Sequence, residues 1–559
     1  MLVLIIHNGK GVGVLRYLIR QSQWLLTTAI LTSAICGVCV VLLIAQINQV
    51  LNTTAVQASQ YIVPFASLVL AVLVFQVLAS TLFERLSQQA HAKLRRHISQ
   101  KVLNADYRLL EEVGGARVQS ALSEHCLKVA EFFIRLPVIV VNGIIVIGCM
   151  VYISWLSGEI FLISLLVLGL GSLGYHQVHL KAIQYLNRAA QEQDSLFGHF
   201  RALVDGAKEL RLHAAKRQRF EDDILGESIE EVRKQRTVGM SVFVISTAWG
   251  SFLIYAFIGL VLFSLVDDSP ERSQILTSFA LIFIYMIAPL ENLLKALPAA
   301  NIAKAAALRI EAVIEELSDE SNSKIKQIKL PKFQRLELKA VTHQFYHEAS
   351  DDFFTLGPVN LTFIPGEIVF LVGGNGSGKT TLAKLLVGLY QSNSGNILLN
   401  GQVVNSDNID SYRQCFSAIF SDFYLFEQLL DIPSDELDTA ANQLLTKLQL
   451  NHKVHVTQGA FSTRALSQGQ RKRLAMVVAH LEQRPFLVFD EWAADQDPLF
   501  KEVFYRQMLP ELKAQGKTLL VISHDEKYFD CADRLLKMEH GQLLEQTVSI
   551  KQKAVEIVA

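Results

Sequence analysis

Charge is scarce in this sequence. Asp, Glu, Lys and Arg make up 19% of its 559 residues, against roughly a quarter in ordinary soluble chains. The formal net charge is −1, and no window interleaves basic side chains with aromatics. No nucleic-acid partner is therefore expected. Cysteine is sparse too, with six residues scattered at 36, 39, 126, 149, 415 and 531, so no disulfide framework is implied. Cys36 and Cys39 form a CxxC, but inside an apolar run and away from any βαβ pattern. They read as two small apolar residues of a membrane helix rather than a redox or metal pair. The N-terminal segment lacks the order of a signal peptide: its short apolar run precedes the positive charges, and no A-x-A site closes it. Residues 12–22 read instead as an amphipathic helix on the cytoplasmic face, within an N-terminal interfacial segment 1–24.

What the chain has in excess is apolar residues, 51% of the total, concentrated between residues 25 and 300. A spanning helix needs about 20 of them, because each residue rises about 1.5 Å through a hydrocarbon core about 30 Å thick. Six segments qualify: 25–50, 61–83, 137–156, 159–175, 240–266 and 273–297. The candidate outer loops 52–60 and 156–158 contain no Lys or Arg, and 267–272 contains only Arg272. By contrast, 84–136 carries Arg85, Lys93, Arg95, Arg96, Lys101, Arg108, Arg117, Lys128 and Arg135, and 176–239 is similarly basic. The positive-inside rule places both long connections and both termini in the cytoplasm.

These two connections hold almost no Gly or Pro and show helical periodicity. Structureless loops of that length are uncommon. Helices 2 to 5 are therefore expected to run well past the membrane, turning near Gly114-Gly115 and Asp205-Gly206. The tips are expected to dock on a soluble domain beside residues 421–426, with Phe423, Tyr424 and Phe426 as packing anchors. The expected division is a membrane domain over 25–312, a linker over 313–334 and a soluble α/β domain over 335–559.

In that last part, an apolar run ending at Val372 leads into Gly373-Gly374-Asn375-Gly376-Ser377-Gly378-Lys379-Thr380-Thr381, followed by a helical stretch. This is GxxxxGK[ST] in its required strand–loop–helix context. Glycines let backbone N–H groups close around phosphate oxygens, and the helix N-terminus adds a favourable dipole. Lys379 suits the β- and γ-phosphates of ATP, and the Thr380 hydroxyl suits Mg²⁺. Farther on, Phe486-Leu487-Val488-Phe489 ends in Asp490 and Glu491. Asp490 suits Mg²⁺ through water, and Glu491 suits polarising an attacking water.

Between these motifs stands Leu466-Ser467-Gln468-Gly469-Gln470, before the basic run Arg471-Lys472-Arg473. It resembles the ABC signature, usually LSGGQ, with Gln468 replacing a glycine. Asp497 is similar to the D-loop aspartate of that family, and His524 to its switch histidine. The resemblance covers nearly the whole chain and implies a half-exporter: a six-helix, all-α transmembrane exporter domain fused to an α/β P-loop ABC ATPase. It further implies a homodimer in which each ATP lies between the P-loop of one subunit and Ser467, Gln468, Gly469 and Gln470 of the other, with Asp497 also acting across the interface. Glu491 and His524 would be catalytic. Two positions depart from the family pattern. Ser421 stands where a Q-loop glutamine is expected, so Ser421 or Asp422 would reach Mg²⁺ through water. The adenine-stacking aromatic is either Phe345 or Tyr346.

A narrower resemblance rests on Asp490-Glu491-Trp492-Ala493-Ala494-Asp495-Gln496-Asp497-Pro498, on LSQGQRKRLA, and on the missing glutamine. It is to the bacterial cyclic-peptide exporters, which move siderophore precursors, lipopeptides or lasso-type peptides across the inner membrane. The stretch before the first span is short for a peptidase domain, which disfavours a leader-cleaving exporter. A lipid or multidrug flippase has the same architecture. A non-transporting ATP-gated channel or sensor could dispense with Glu491 and His524. Gln76, Tyr285, Glu291 and Asn292 lie in or near spans, where each serves packing at least as readily as cargo, and Pro289 is expected to bend the last span.

Overall fold

The computed structural model describes residues 12–51, 59–261, 263, 272–317, 332–347, 352–430 and 436–546. Most of the expected outer loops 52–60 and 267–272, and of the 318–332 stretch, lie outside the described residues. The chain divides into two units. The first comprises Met1–Leu103 and Gly115–Glu316, and the second Asn104–Gly114 and Leu317–Ala559.

In the first unit, α1 (Val12–Gln21) is the short amphipathic helix. It buries Val14 and Leu18, stacks Tyr17 on His97 at 4.6 Å, and receives a 3.0 Å hydrogen bond from Lys93 Nζ at the Gln21 carbonyl. Six helices among the described residues are long and apolar enough to cross a membrane. They are α2 (Gln23–Leu51), α3 (Ile62–Asn104), α5 (Gly115–Leu156), α6 (Gly158–Asp205), α8 (Ala214–Leu260) and the Thr277–Ala296 part of α9 (Arg272–Glu316). Helices α3, α5, α6 and α8 run far past any bilayer thickness, as the Gly- and Pro-poor connections require. Ser157 stops α5 and caps α6 through its side chain. The last span stays helical through Pro289, and its Glu291 pairs with Lys295 one turn on at 2.9 Å. The shared core joins Val40 and Ile44, Ile145 and Cys149, Phe257, and Phe279 and Phe283. Phe257 meets Phe283 edge-on at 5.0 Å. Cys36 is buried and both CxxC thiols are free. Val63, Leu70, Leu73 and Val77 of α3 remain exposed, the apolar surface a lipid or a second subunit would cover.

The second unit is built on a six-stranded sheet of order β12-β11-β3-β10-β9-β6. Strands β3 (Ile368–Gly373), β6 (Phe416–Ile419), β9 (Phe486–Asp490), β10 (Thr518–Ile522) and β11 (Arg534–Glu539) are parallel, and β12 (Gln542–Gln546) closes one edge antiparallel. Near-continuous apolar runs suit strands buried on both faces. Ile368, Phe370, Leu487, Phe489, Leu519 and Val521 face one core, and Val369, Leu371, Phe486, Val488, Leu520 and Ile522 face the other. A second, antiparallel sheet of order β2-β1-β4-β5 joins β1 (Leu336–His347), β2 (Asp352–Phe363), β4 (Ser394–Leu399) and β5 (Gln402–Val403), and β7 (Val456–Thr457) pairs with β8 (Ala460–Phe461).

The tip between α3 and α5 belongs to this second unit. Asp106 caps α4 (Tyr107–Val113), accepting from the Arg108 N–H at 2.9 Å. One face of α4 presents Tyr107 and Glu111. Glu111 accepts from Lys384 Nζ at 2.7 Å and from the Tyr390 hydroxyl at 2.5 Å. Gln391 donates to Asp106 at 2.9 Å, and Lys384 Nζ lies 5.2 and 5.3 Å from the Tyr107 and Tyr390 ring centroids. This corrects the expected anchors for that tip. Phe423 packs on the core of its own unit, whereas Tyr424 and Phe426 are 70% and 59% exposed and pair with each other at 5.2 Å. The tip is held by charge and hydrogen bonds because α4 offers a carboxylate, one turn from an aromatic, to a partly buried ammonium. The other tip, α7 (Ala207–Leu212), lies in the first unit.

Candidate functional site

Ile522 of β10 is in register with Leu371 of β3 on one side and with Asp490 of β9 on the other. The carboxyl ends of the three strands therefore open at one edge of the sheet, where ligands of parallel α/β sheets bind. The loop after β3 enters α10 (Lys379–Leu386) at this edge. Gly376 and Gly378 have φ of +75° and +102°, which disfavour any residue with a Cβ. Gly374, Asn375 and Gly376 are exposed along the loop. The first bond inside α10 runs from the Leu382 N–H to the Gly378 carbonyl at 2.9 Å. The N–H groups of Lys379, Thr380 and Thr381 thus have no partner within the helix and form its positive end.

Lys379 is 6% exposed and folds back over the loop, donating to the Gly373 and Gly374 carbonyls at 2.9 and 2.8 Å. Burial pulls its pKa down, opposed by the Glu491 and Asp490 carboxylates. The Ser377 hydroxyl is buried and lacks a hydrogen-bond partner among the described residues. An orphaned donor beside a backbone cradle and an ammonium is what a bound phosphate would satisfy.

The fit to a divalent cation rests on Thr380 and Asp490. Thr380 Oγ1 donates to Asp490 Oδ2 at 2.9 Å, and Asp490 is 1% exposed. Burial pushes the Asp490 pKa up, as do the Glu491 and Asp422 charges, while the Thr380 hydrogen bond and Lys379 pull it down. A buried carboxylate among like charges, facing a hydroxyl, is suited to a hard cation shared with phosphate oxygens. Among the described residues no group of three or more His, Cys, Asp or Glu could hold a metal without such a ligand. Ser421 is exposed in the turn after β6, whereas its neighbour Asp422 is the residue whose charge reaches Asp490.

Glu491 follows β9 in the left-handed region, at φ +49° and ψ 35°. Its N–H donates to the Ile522 carbonyl at 3.0 Å, and its Oε1 lies 3.5 Å from His524 Nε2. His524 stands two residues beyond β10, so strand register alone brings the pair together. Tyr505 supports the turn below, with its hydroxyl 2.7 Å from the Ser523 hydroxyl, itself bonded by the Asp525 N–H. Phe345 and Tyr346 are neighbours in β1, opposite Phe354 and Phe353 of β2. Their side chains lie outside the described ones.

The signature residues form a helix start. Past α11 (Leu437–Lys447), Ser467 caps α12 (Gln468–Leu481) in a reciprocal box with Gln470, and Ser467 and Gln468 are exposed. Gln496 links this start to the loop after β9, donating to the Gly469 carbonyl at 2.9 Å and accepting from Arg473 at 2.8 Å. Asp497 caps the next helix by accepting from the Phe500 N–H at 2.9 Å, and pairs with Arg473 at 2.6 Å. The Phe500 bond leads the causes that hold its pKa down. Sequence reasoning missed the Glu111–Lys384–Tyr390 cluster. Glu111 stands more than 270 positions before Lys384 and Tyr390 along the chain, and no local pattern marks the three.

Residues 24–290 match the family described as the ABC transporter transmembrane region, and residues 356–494 match the family described as ABC transporter. The chain is 32% identical over 541 residues to the ATP-binding protein SyrD of Pseudomonas syringae pv. syringae, covering 95% of each. It is 25% identical to an ATP-dependent lipid A-core flippase of Dechloromonas aromatica, over 85% of this chain and 82% of that one. Its fold is similar to a bacterial Atm1-family ABC exporter solved with ATP bound, with a TM-score of 0.75 at 14% identity, covering 94% and 95% of the two chains.

Proposed function

The chain belongs to the ABC transporter family as an ATP-hydrolysing, multi-pass half-exporter, and from that premise we propose that it exports a peptide-like metabolite across the bacterial inner membrane as a homodimer. Cargo meets the membrane half. The observation carrying the reading is therefore the 32% identity to SyrD over 95% of both chains, which includes that half, against 25% over 85% for the flippase. The Asp490–Pro498 stretch and the Gln468 variant of the signature point the same way.

ATP would lie with its phosphates on the loop of residues 373–378, Lys379 and the N–H groups of Lys379, Thr380 and Thr381. Mg²⁺, held by Thr380, by Asp490 and through water by Asp422 or Ser421, would neutralise charge on the phosphates. Glu491 orients and polarises the attacking water, and His524 holds the Glu491 carboxylate in place. Phe345 or Tyr346 stacks on the base. Ser467, Gln468, Gly469, Gln470 and Asp497 act on the partner's nucleotide. Closure of the ATPase pair is passed to the spans through tips such as α4, and hydrolysis resets them. The ATPase would lie in the cytoplasm, the side that the Lys- and Arg-rich connections mark by the positive-inside rule.

The test is metabolite profiling of cells with and without the gene. A cyclic peptide, lipopeptide or siderophore precursor is expected to accumulate inside the mutant and disappear outside. Unchanged peptides with lipid A-core retained in the inner membrane would replace this reading with the flippase one.

A further inference from the structure

We propose that Lys472 is a positioning residue for hydrolysis: it sets the backbone that aims Glu491, and it couples that setting to the signature segment of the same subunit. The proposal rests on the reading of Glu491 as the water-polarising carboxylate.

Lys472 lies in the first turns of α12, immediately after the signature, and is 2% exposed. Its Nζ donates to the Glu491 carbonyl at 2.7 Å and pairs with Asp495 Oδ2 at 2.7 Å. Its own carbonyl accepts from Trp492 Nε1 at 2.8 Å, and Trp492 is 1% exposed in the core. One residue of the signature helix thus grips three residues of the loop that begins at Glu491. A lysine rarely stands so deep unless its ammonium is paired and hydrogen-bonded. An apolar side chain would fill the same space without that cost.

The grip falls where the backbone needs it. Glu491 is not a glycine, yet it sits at φ +49°, a conformation that persists only when its surroundings hold it. Its N–H is tied to β10, and Lys472 ties its carbonyl. Rotation of the peptide between these anchors would swing the carboxylate away from His524. The signature and this loop also touch directly. A Cβ on Gly469 would lie 2.5 Å from the Asp495 carbonyl oxygen, so the two backbones approach as closely as glycine permits. Gln496 adds its bond to the Gly469 carbonyl. A shift of the signature on the partner's nucleotide therefore moves Asp495 and Lys472, and through them the Glu491 of the subunit's own site. In this way the two ATP sites of a dimer would report to each other.

The experiment compares Lys472→Met, Asp495→Asn and Glu491→Gln in the full-length protein in lipid nanodiscs, measuring kcat and KM for ATP, nucleotide affinity and thermal unfolding. Lys472→Met keeps the length and apolar packing, and Asp495 can turn to solvent. It is expected to lower kcat by about 10²-fold, the scale of an ångström's misplacement, with KM and affinity within about 2-fold of the parent. Asp495→Asn keeps the Glu491 carbonyl bond and is expected to retain most of kcat. A parental kcat in Lys472→Met beside an inactive Glu491→Gln overturns the proposal and spares the reading of Glu491. A parental kcat in Glu491→Gln overturns that reading. Equal loss of kcat, affinity and melting temperature in Lys472→Met makes the residue merely structural and also overturns the proposal. If the Met variant fails to fold, Lys472→Gln is judged by the same measures, and failure of both to fold counts against it.

Discussion

The hydroxyl of Thr380 donates to Asp490 Oδ2 across 2.9 Å, joining the first turn of α10 to the buried end of β9. This bond crosses 110 positions of sequence, and it fixes where a cation and the terminal phosphates would meet. It also bears on stability. Burial raises the Asp490 pKa above its unfolded value. The stability associated with this carboxyl is then fully present below the unfolded pKa and lost as pH rises through the folded one. Above that raised folded value the nucleotide-free fold carries a buried, disfavoured charge. Asp490→Asn is expected to melt higher than the parent without nucleotide, by a margin that grows as pH rises from the unfolded carboxyl value through the raised folded one and then levels off. The same variant should lose the stabilisation that ATP with Mg²⁺ confers on the parent. Thermal unfolding across pH checks both, and a variant that melts lower at pH 8 contradicts the argument.

Hydrolysis should separate from binding at two neighbouring residues. Lys379→Ala removes the ammonium that folds over the glycine loop, so both nucleotide affinity and turnover should fall. Glu491→Gln keeps size and hydrogen bonding but removes the base. It should bind ATP, accumulate a closed dimer, and turn over about 10²–10⁴-fold more slowly. Turnover within a few-fold of the parent in Glu491→Gln would contradict its role.

Exposure of Ser467 and Gln468 at the start of α12 leaves them free to meet a partner's nucleotide. If each site needs Lys379 of one chain and Ser467 of the other, mixing inactive Lys379→Ala and Ser467→Arg subunits should restore activity. Each heterodimer would hold one intact site and one carrying both lesions, recovering up to about half of the parental rate per dimer if the sites act independently. No recovery in mixtures shown to contain heterodimers would count against shared sites.

Glu111 ties α4 to the helix that begins at the glycine loop. Burial raises the Glu111 pKa, but hydrogen bonds from Lys384 and Tyr390 outweigh it and hold the value below 4.5. The contact is therefore present at neutral pH and lost only as pH falls through that depressed value. Glu111→Gln should leave basal hydrolysis within about 3-fold while cargo-stimulated turnover falls several-fold, because the amide oxygen can still accept from Lys384 and Tyr390 while the charge that strengthens those bonds is lost. Proportionate loss of both rates would assign the pair to folding instead of coupling.

The sequence by itself determined the architecture and the presence of an ATP-hydrolysing α/β unit. Apolar length marks a span because the bilayer sets a fixed thickness, and glycines with Lys379 and Thr380 mark a phosphate loop because the backbone must close around the anion. Those signals are local, and local patterns survive in one dimension. Tertiary structure alone decided what holds the tip between α3 and α5. Aromatics at 423–426 looked like anchors, yet Phe423 serves its own core and the tip is gripped by Lys384 and Tyr390. Which residues stand behind Glu491 was equally illegible. Lys472 reads as one more basic residue on a helix until packing buries it against Glu491 and Asp495. Partners so far apart in sequence are chosen by strand register and helix packing, which leave no periodic trace in the chain.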